Sequence, residues 1–156
     1  MLYRLYQPGD FAALYAVEEI CFQPPFRFSR AYMRQLVESA ASATWIAEEE
    51  LELAGFAIVG WKKEPPSGAS IAYIETVEVA PQHRGLGIAS ELMRRVEDSA
   101  RSAGAASIWL HVDVENSVAI HMYESRGYAR KGREEHFYAR HRAAFVYSKP
   151  LSPSVL

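Results

Sequence analysis

Apolar and polar residues alternate with two different periods along this chain, and the switches between periods divide it into elements. "LYRLYQ" (2–7) alternates residue by residue and predicts a strand, stopped by Pro8 and Gly9. Asp10 then stands where a helix cap belongs, with Leu14, Val17 and Cys21 at helical spacing as far as about Ile20. After the Pro- and Phe-rich "CFQPPFRF", Ser29 precedes a second helix, "RAYMRQLVESA", with Tyr32, Met33, Leu36 and Val37 apolar. "ATWIAEEE" and "ELAGFAIVGWKK" predict two strands, "EPPSG" a turn, and "ASIAYIETVEVA" (69–80) a long strand ended by Pro81. Ile88, Leu92, Val96 and Ala100 recur every four residues, a helical stripe from Gly87 to a cap near Gly104. "SIWLHVDV" is a further strand, Asn116 caps the short helix "SVAIHMYES", Gly127 closes it, and 128–151 give two last strands. The order predicts a single α/β domain of mixed α+β character around a central sheet, over 1–150, with a tail at 151–156.

Composition narrows the class. At 156 residues and 49% hydrophobic, the chain fills one full-sized core. Its 17 Lys and Arg against 19 Asp and Glu carry none of the basic excess of a nucleic-acid ligand. No apolar run approaches the roughly 20 residues of a membrane span, and the N-terminus lacks a signal-peptide core. Cys21, the one cysteine, cannot pair within the chain, which predicts a reducing, cytoplasmic setting and a small apolar role for the thiol. The five histidines have no metal-like spacing, so no metal is expected, and His83, His121, His136 and His141 read as exposed.

"VEVAPQHRGLGIASELM" (77–93) joins a strand to a helix through two glycines. Glycine lets the backbone turn tightly and keeps no Cβ between the chain and a ligand. The free N–H groups of the first helical turn then converge on an anion. A P-loop needs a lysine that "GLGIAS" lacks, and the dinucleotide fingerprint needs a small third residue where Ser90 stands. The pattern that fits is Gln/Arg-x-x-Gly-x-Gly/Ala, on Gln82, Gly85 and Gly87, with His83 and Arg84 adding positive charge. A plain strand-to-helix turn uses the same glycines.

Here the chain resembles the GNAT superfamily of N-acetyltransferases over nearly its whole length. The resemblance implies a mostly antiparallel sheet of about seven strands flanked by four helices. It also implies that Gln82, His83, Arg84, Gly85, Leu86, Gly87, Ile88 and Ala89 hold the diphosphate of acetyl-CoA, with Val77, Glu78 and Val79 meeting its acetyl and pantetheine groups. A second signature, Asn116, Ala119, Ile120, Tyr123, Glu124, Gly127 and Tyr128, is most similar to protein N-terminal acetyltransferases, including those of ribosomal-protein alanine. Ala119 and Ile120 read as core. Asn116 reads as a helix cap and, by the resemblance, as a coenzyme contact. Tyr123 is either core or, as in that family, the acid that protonates the departing thiolate.

His111 stands where bacterial alanine acetyltransferases carry a glutamate base, and "LHV" is similar to some eukaryotic members in which the histidine pairs with a tyrosine, here Tyr73. A free histidine titrates near 6.5 and is mainly neutral at pH 7, so it can take a proton from an attacking ammonium. Glu75, two residues from Tyr73 and expected on the same strand face, is the rival base. The resemblance further places the acceptor against Phe22, Pro24, Pro25 and Phe26, with Tyr73 and Tyr138 as hydroxyl partners. The expected acceptor is a protein or peptide N-terminus; a lysine, polyamine or small amine is the alternative, and a non-catalytic acyl-CoA-binding module a third reading. Monomer and homodimer stay open.

Overall fold

The computed structural model describes residues 1–152. Its strands are β1 (Leu2–Leu5), β2 (Ser42–Glu49), β3 (Glu52–Glu64), β4 (Ala69–Val79), β5 (Ser107–Asp113), β6 (Ala129–Ala139) and β7 (Arg142–Pro150). The helices are α1 (Phe11–Cys21), α2 (Arg30–Glu38), α3 (Ile88–Ser102) and α4 (Ser117–Ser125). All strands join one sheet in the order β1-β2-β3-β4-β5-β7-β6. Every pairing is antiparallel except β4 with β5. This is the seven-strand, four-helix architecture expected.

Helices cover both faces. On one, α3 buries the predicted stripe Ile88, Leu92, Val96 and Ala100, together with Met93, against Ala57, Val59, Ala72 and Ile74. Each large side chain so buried contributes about 1.5–3 kcal/mol. On the other, Leu14, Val17 and Met33 of α1 and α2 pack over Phe56 and Ile58. β3 and β4 approach so closely that a Cβ at Gly55 would lie 2.6 Å from the backbone oxygen of Glu78.

Two caps follow the sequence. Ser29 Oγ accepts from Tyr32 N at 3.1 Å, and Asn116 Oδ1 from Ala119 N at 3.1 Å. Asp10 does not cap α1 with its side chain. Pro8–Asp10 form a 3-10 turn, so the carboxylate folds back to accept from Gln7 N at 2.7 Å and from Arg4 at 2.8 and 2.9 Å. Leu151, expected in the tail, is buried and donates its N–H to Ala106 O at 2.9 Å, extending the packed domain by one residue. The rest of the expected tail, from 153 on, lies outside the described residues.

Beneath the α3 face, Glu97 is 2% exposed, yet it accepts from Arg126 at 2.9 Å and Tyr128 at 2.8 Å, and Lys149 Nζ stands 3.1 Å away. Burial pushes this carboxyl up, but the three donors more than offset that and hold it below the usual range. The cluster ties α3 to the α4–β6 turn and to β7.

Candidate active site

β4 and β5 pair at only three positions, ending at Tyr73 with Trp109, while β4 runs on to Val79 and β5 to Asp113. Past Tyr73 the two strands have separated, so the edge of β4 that faces β5 is without a strand partner. Unpaired backbone groups of that kind need another hydrogen-bonding partner, and a ligand can supply it.

One cavity, of about 710 Å³, opens there toward the start of α3. Val77, Glu78, Val79, Arg84, Gly85, Gly87, Ile88, Ala89, Asn116 and Tyr123 line it, joined by Cys21, Phe22, Ser90, Val118 and Met122. Gly85 (φ +81°) and Gly87 (φ +80°) are both left-handed, and a Cβ on either would meet nothing within 4 Å. Gly87 caps α3 without a side-chain hydrogen bond, so the first-turn amides remain free for an anion. These features fit a diphosphate. Arg84 turns back along β4, donating from Nε to Val79 O at 2.9 Å and from Nη2 toward Cys21 Sγ at 3.4 Å.

Three residues expected in this cradle are not among those lining it. Gln82 points to solvent, Leu86 is 69% exposed, and His83 folds under the loop with Nε2 4.0 Å from Glu52. The 3-10 turn at Pro81–His83 carries Gln82 and His83 away from the glycines, and His83 is therefore largely covered rather than exposed. Glu78 meets the cavity, but its side chain is buried with Glu18 of α1. Burial, and then the neighbouring Glu18 carboxyl, push the Glu78 carboxyl well above its usual range. Glu18 also accepts from Phe28 N at 2.9 Å, fastening the loop after α1.

A second cavity, of about 790 Å³, lies on the other side of the opening. It contains Phe22, Pro25, Phe26, Tyr73, Glu75, His111, Tyr123 and Tyr138 of the expected site; Pro24 is not among its lining residues. Tyr138 packs on Phe26 at 4.8 Å between ring centroids. Arg142 reaches across from β7 to Asp113 (2.8 Å), Glu115 (3.1 Å) and the Phe26 ring (5.0 Å), a brace between strand ends and loop that no local spacing announced.

Tyr73 Oη and His111 Nδ1 are 2.6 Å apart. The imidazole stacks on Phe137 (4.0 Å, 5° between planes), and its Nε2 stands 3.1 Å from Glu134 Oε1 at an angle too poor for a hydrogen bond. Burial, then the nearby charge of Glu75, push the Tyr73 phenol far above its usual value. Tyr73 therefore stays protonated and can donate to Nδ1 in the tautomer that carries the ring proton on Nε2, toward Glu134. Tyr123 is 8% exposed and lines both cavities. Burial alone pushes its phenol up to about 12, which keeps it an acid at neutral pH.

Glu75 sits in a β-bulge. Ile58 pairs with Thr76 and Val59 with Ile74, leaving Glu75 without a partner on β3. It lines the second cavity beside Tyr73, yet no hydrogen bond or ion pair to it is found among the described residues.

An open parallel pair, a helix N-terminus bared by two left-handed glycines, and a tyrosine shared by two cavities are features that fit an acyl-coenzyme A. The chain belongs to the acetyltransferase (GNAT) family, whose model matches residues 11–128. It is 41% identical to streptothricin acetyltransferase of Streptomyces lavendulae over 102 residues, 65% of this chain and 52% of that protein. It is 34% identical to the probable N-acetyltransferase family 8 member 5 of Mus musculus over 100 residues, 61% and 42% of the two chains. The chain thus spans about half the length of the curated relatives it matches. Among solved structures, the ribosomal-protein-S18-alanine N-acetyltransferase of Escherichia coli superposes with a TM-score of 0.83 at 20% identity, over 99% of this chain and 96% of that one. NAA60 of Arabidopsis thaliana with a bisubstrate analogue gives 0.84 at 21%, over 98% and 99%. At these identities the structures establish the shared fold; NAA60 has also been solved with acetyl-CoA.

Proposed function

We propose that this protein transfers the acetyl group of acetyl-CoA to a primary amine, with the N-terminal α-amine of a protein or peptide as the acceptor. The observation that carries the reading is the sharing of Tyr123 between two cavities, of which only the acceptor cavity holds the Tyr73–His111 pair. The free amides from Gly85 to Ala89 bind the diphosphate, and Asn116, besides capping α4, lines the route from there to the acetyl group.

Acetyl-CoA supplies the acetyl group as a thioester. Tyr73 accepts the proton that the amine sheds as its nitrogen bonds to the carbonyl carbon, and passes its own proton to His111 Nδ1. The phenol thus never stands as a phenolate. Glu134, half exposed beside Nε2, stabilises the imidazolium and opens its way to solvent. The Val77 N–H, on the unpaired edge of β4, stabilises the oxyanion, and Tyr123 protonates the sulfur as the C–S bond breaks. Glu75 makes no hydrogen bond to either member of the pair and is not the base in this scheme.

The likeness to streptothricin acetyltransferase supports a second reading, a small amine-bearing acceptor at the same site. Acetylation of a peptide library and a panel of small amines, read by mass spectrometry, separates the two. Tyr123→Phe and His111→Ala should each lower turnover about 10²-fold or more. Coenzyme binding without thiol release across both panels would mark a binding module instead.

A further inference from the structure

A third cavity, of about 530 Å³, lies between α2, β3 and β4 and shares Tyr73 and Glu75 with the acceptor cavity. Its existence follows from strand register. Gly60 of β3 is the direct partner of Tyr73, so both positions face the same side of the sheet. The missing side chain at Gly60 leaves the space beside the tyrosine open, and the small residues Ser39, Ala41 and Ser42 line the cavity with it. One tyrosine and one carboxylate, rather than a packed layer, divide the two chambers.

The state of that carboxylate is unusual for its surroundings. The bulge aims Glu75 into the divide, and burial, with no bonding partner, raises its carboxyl. Of the other acids nearby, Asp113 and Glu115 share Arg142, Glu134 stands 3.1 Å from His111 Nε2, and Glu18 accepts from Phe28 N. Lys62, which lines the third cavity, pairs with Glu64 at 3.8 Å. The charge of Glu75 raises the phenols of both Tyr32 and Tyr73, which puts the two tyrosines beside it. An unpaired, partly desolvated carboxylate next to aromatic rings attracts a cation through charge and through the rings.

We propose that the acceptor carries a second cationic group beside the amine that reacts, and that Glu75 is the specificity residue holding it, with the acceptor's hydrocarbon running into the Gly60 cavity. The inference rests on the acetyl-transfer reading and adds the acceptor's charge pattern. Such an acceptor is either a peptide N-terminus followed by a lysine-like side chain or a small diamine.

The test uses two matched pairs, each differing by one ammonium: peptides with lysine or norleucine at the second position, and 1,5-diaminopentane against pentylamine. Thiol release from acetyl-CoA gives kcat and KM for each. The wild-type protein should favour the dicationic member of at least one pair about tenfold or more in kcat/KM, mainly through KM; the pair that responds identifies the source. Glu75→Gln should bring that ratio near one. Gly60→Leu should weaken the same preference with an unchanged melting temperature, since a Cβ there meets only Ala41 O at an ordinary 3.6 Å. Equal use of both members by the wild type overturns the inference while leaving acetyl transfer standing. An equal fall for both members in Glu75→Gln also overturns it, because Glu75 would then act on the reacting amine. Acetylation of none of the four overturns the inference and the acetyl-transfer reading together.

Discussion

Tyr73→Phe removes a single oxygen and isolates the proton relay from everything else in the site. The imidazole keeps its seat, because it is stacked on Phe137 at 4.0 Å and does not depend on the phenol for position. What disappears is the 2.6 Å link to Nδ1, the path of the amine proton in the proposed relay. A positioned base contributes about 10²–10⁴-fold to such a step. A water in the vacated space restores part of the path, so the lower end applies: kcat should fall about 10²-fold, or about 2.7 kcal/mol of barrier. Neither Tyr73 nor His111 lines the cavity proposed to hold the coenzyme, so the Kd for acetyl-CoA should stay within about twofold. Steady-state thiol release and equilibrium titration with acetyl-CoA measure the two quantities separately. A kcat within threefold of wild type, or a matching loss of coenzyme affinity, would refute the relay.

Three further outcomes follow from the same geometry. Gly87→Val puts a β-branched residue at φ +80° and fills the open space above the loop, so the Kd for coenzyme A should rise about tenfold or more while that of pantetheine, which lacks the diphosphate, stays put in calorimetric titration. Gly55→Ala drives a methyl to 2.6 Å from Glu78 O, a backbone atom that cannot swing aside; a loss of about 1–3 kcal/mol should appear as a melting temperature several degrees lower, and an unchanged one would mean that β3 and β4 are not held this tightly. Glu97 has a folded-state pKa below its unfolded one, so its contribution is present above the ordinary carboxylate range near 4.3 and lost as pH falls through the lower folded value. The melting temperature of Glu97→Gln should therefore vary less than that of wild type between about pH 5 and 2, and parallel curves would exclude the linkage.

Local features of the chain were legible before the structure. The α3 stripe, the caps at Ser29 and Asn116, and the need for left-handed glycines at 85 and 87 each rest on residues within one turn of one another. Features set by pairing between distant strands were not. The Glu75 bulge depends on how β3 and β4 align: Glu75 shares the face of Tyr73, as alternation predicts, but alternation could not show that it lies there without a β3 partner. Arg142 with Asp113, and Glu97 with Arg126 and Lys149, are joined across about thirty to fifty residues by sheet order, and no periodicity encodes that. Asp10 shows a different limit: its carboxylate had two partners to choose from, and Arg4, one strand away, outbid the helix amides. The meeting of Tyr73 and His111 was anticipated through family resemblance rather than through spacing.

The central claim is that the bare amides opening α3 hold the diphosphate while Tyr123 and the Tyr73–His111 pair flank the reacting atoms. A crystal structure with a coenzyme A–peptide bisubstrate tests it in one measurement. The account predicts diphosphate oxygens about 3 Å from amides between Gly85 and Ala89, the Tyr123 hydroxyl against the sulfur, and the acceptor nitrogen beside Tyr73. A diphosphate bound elsewhere, or a Tyr123 hydroxyl turned from the sulfur, would contradict it.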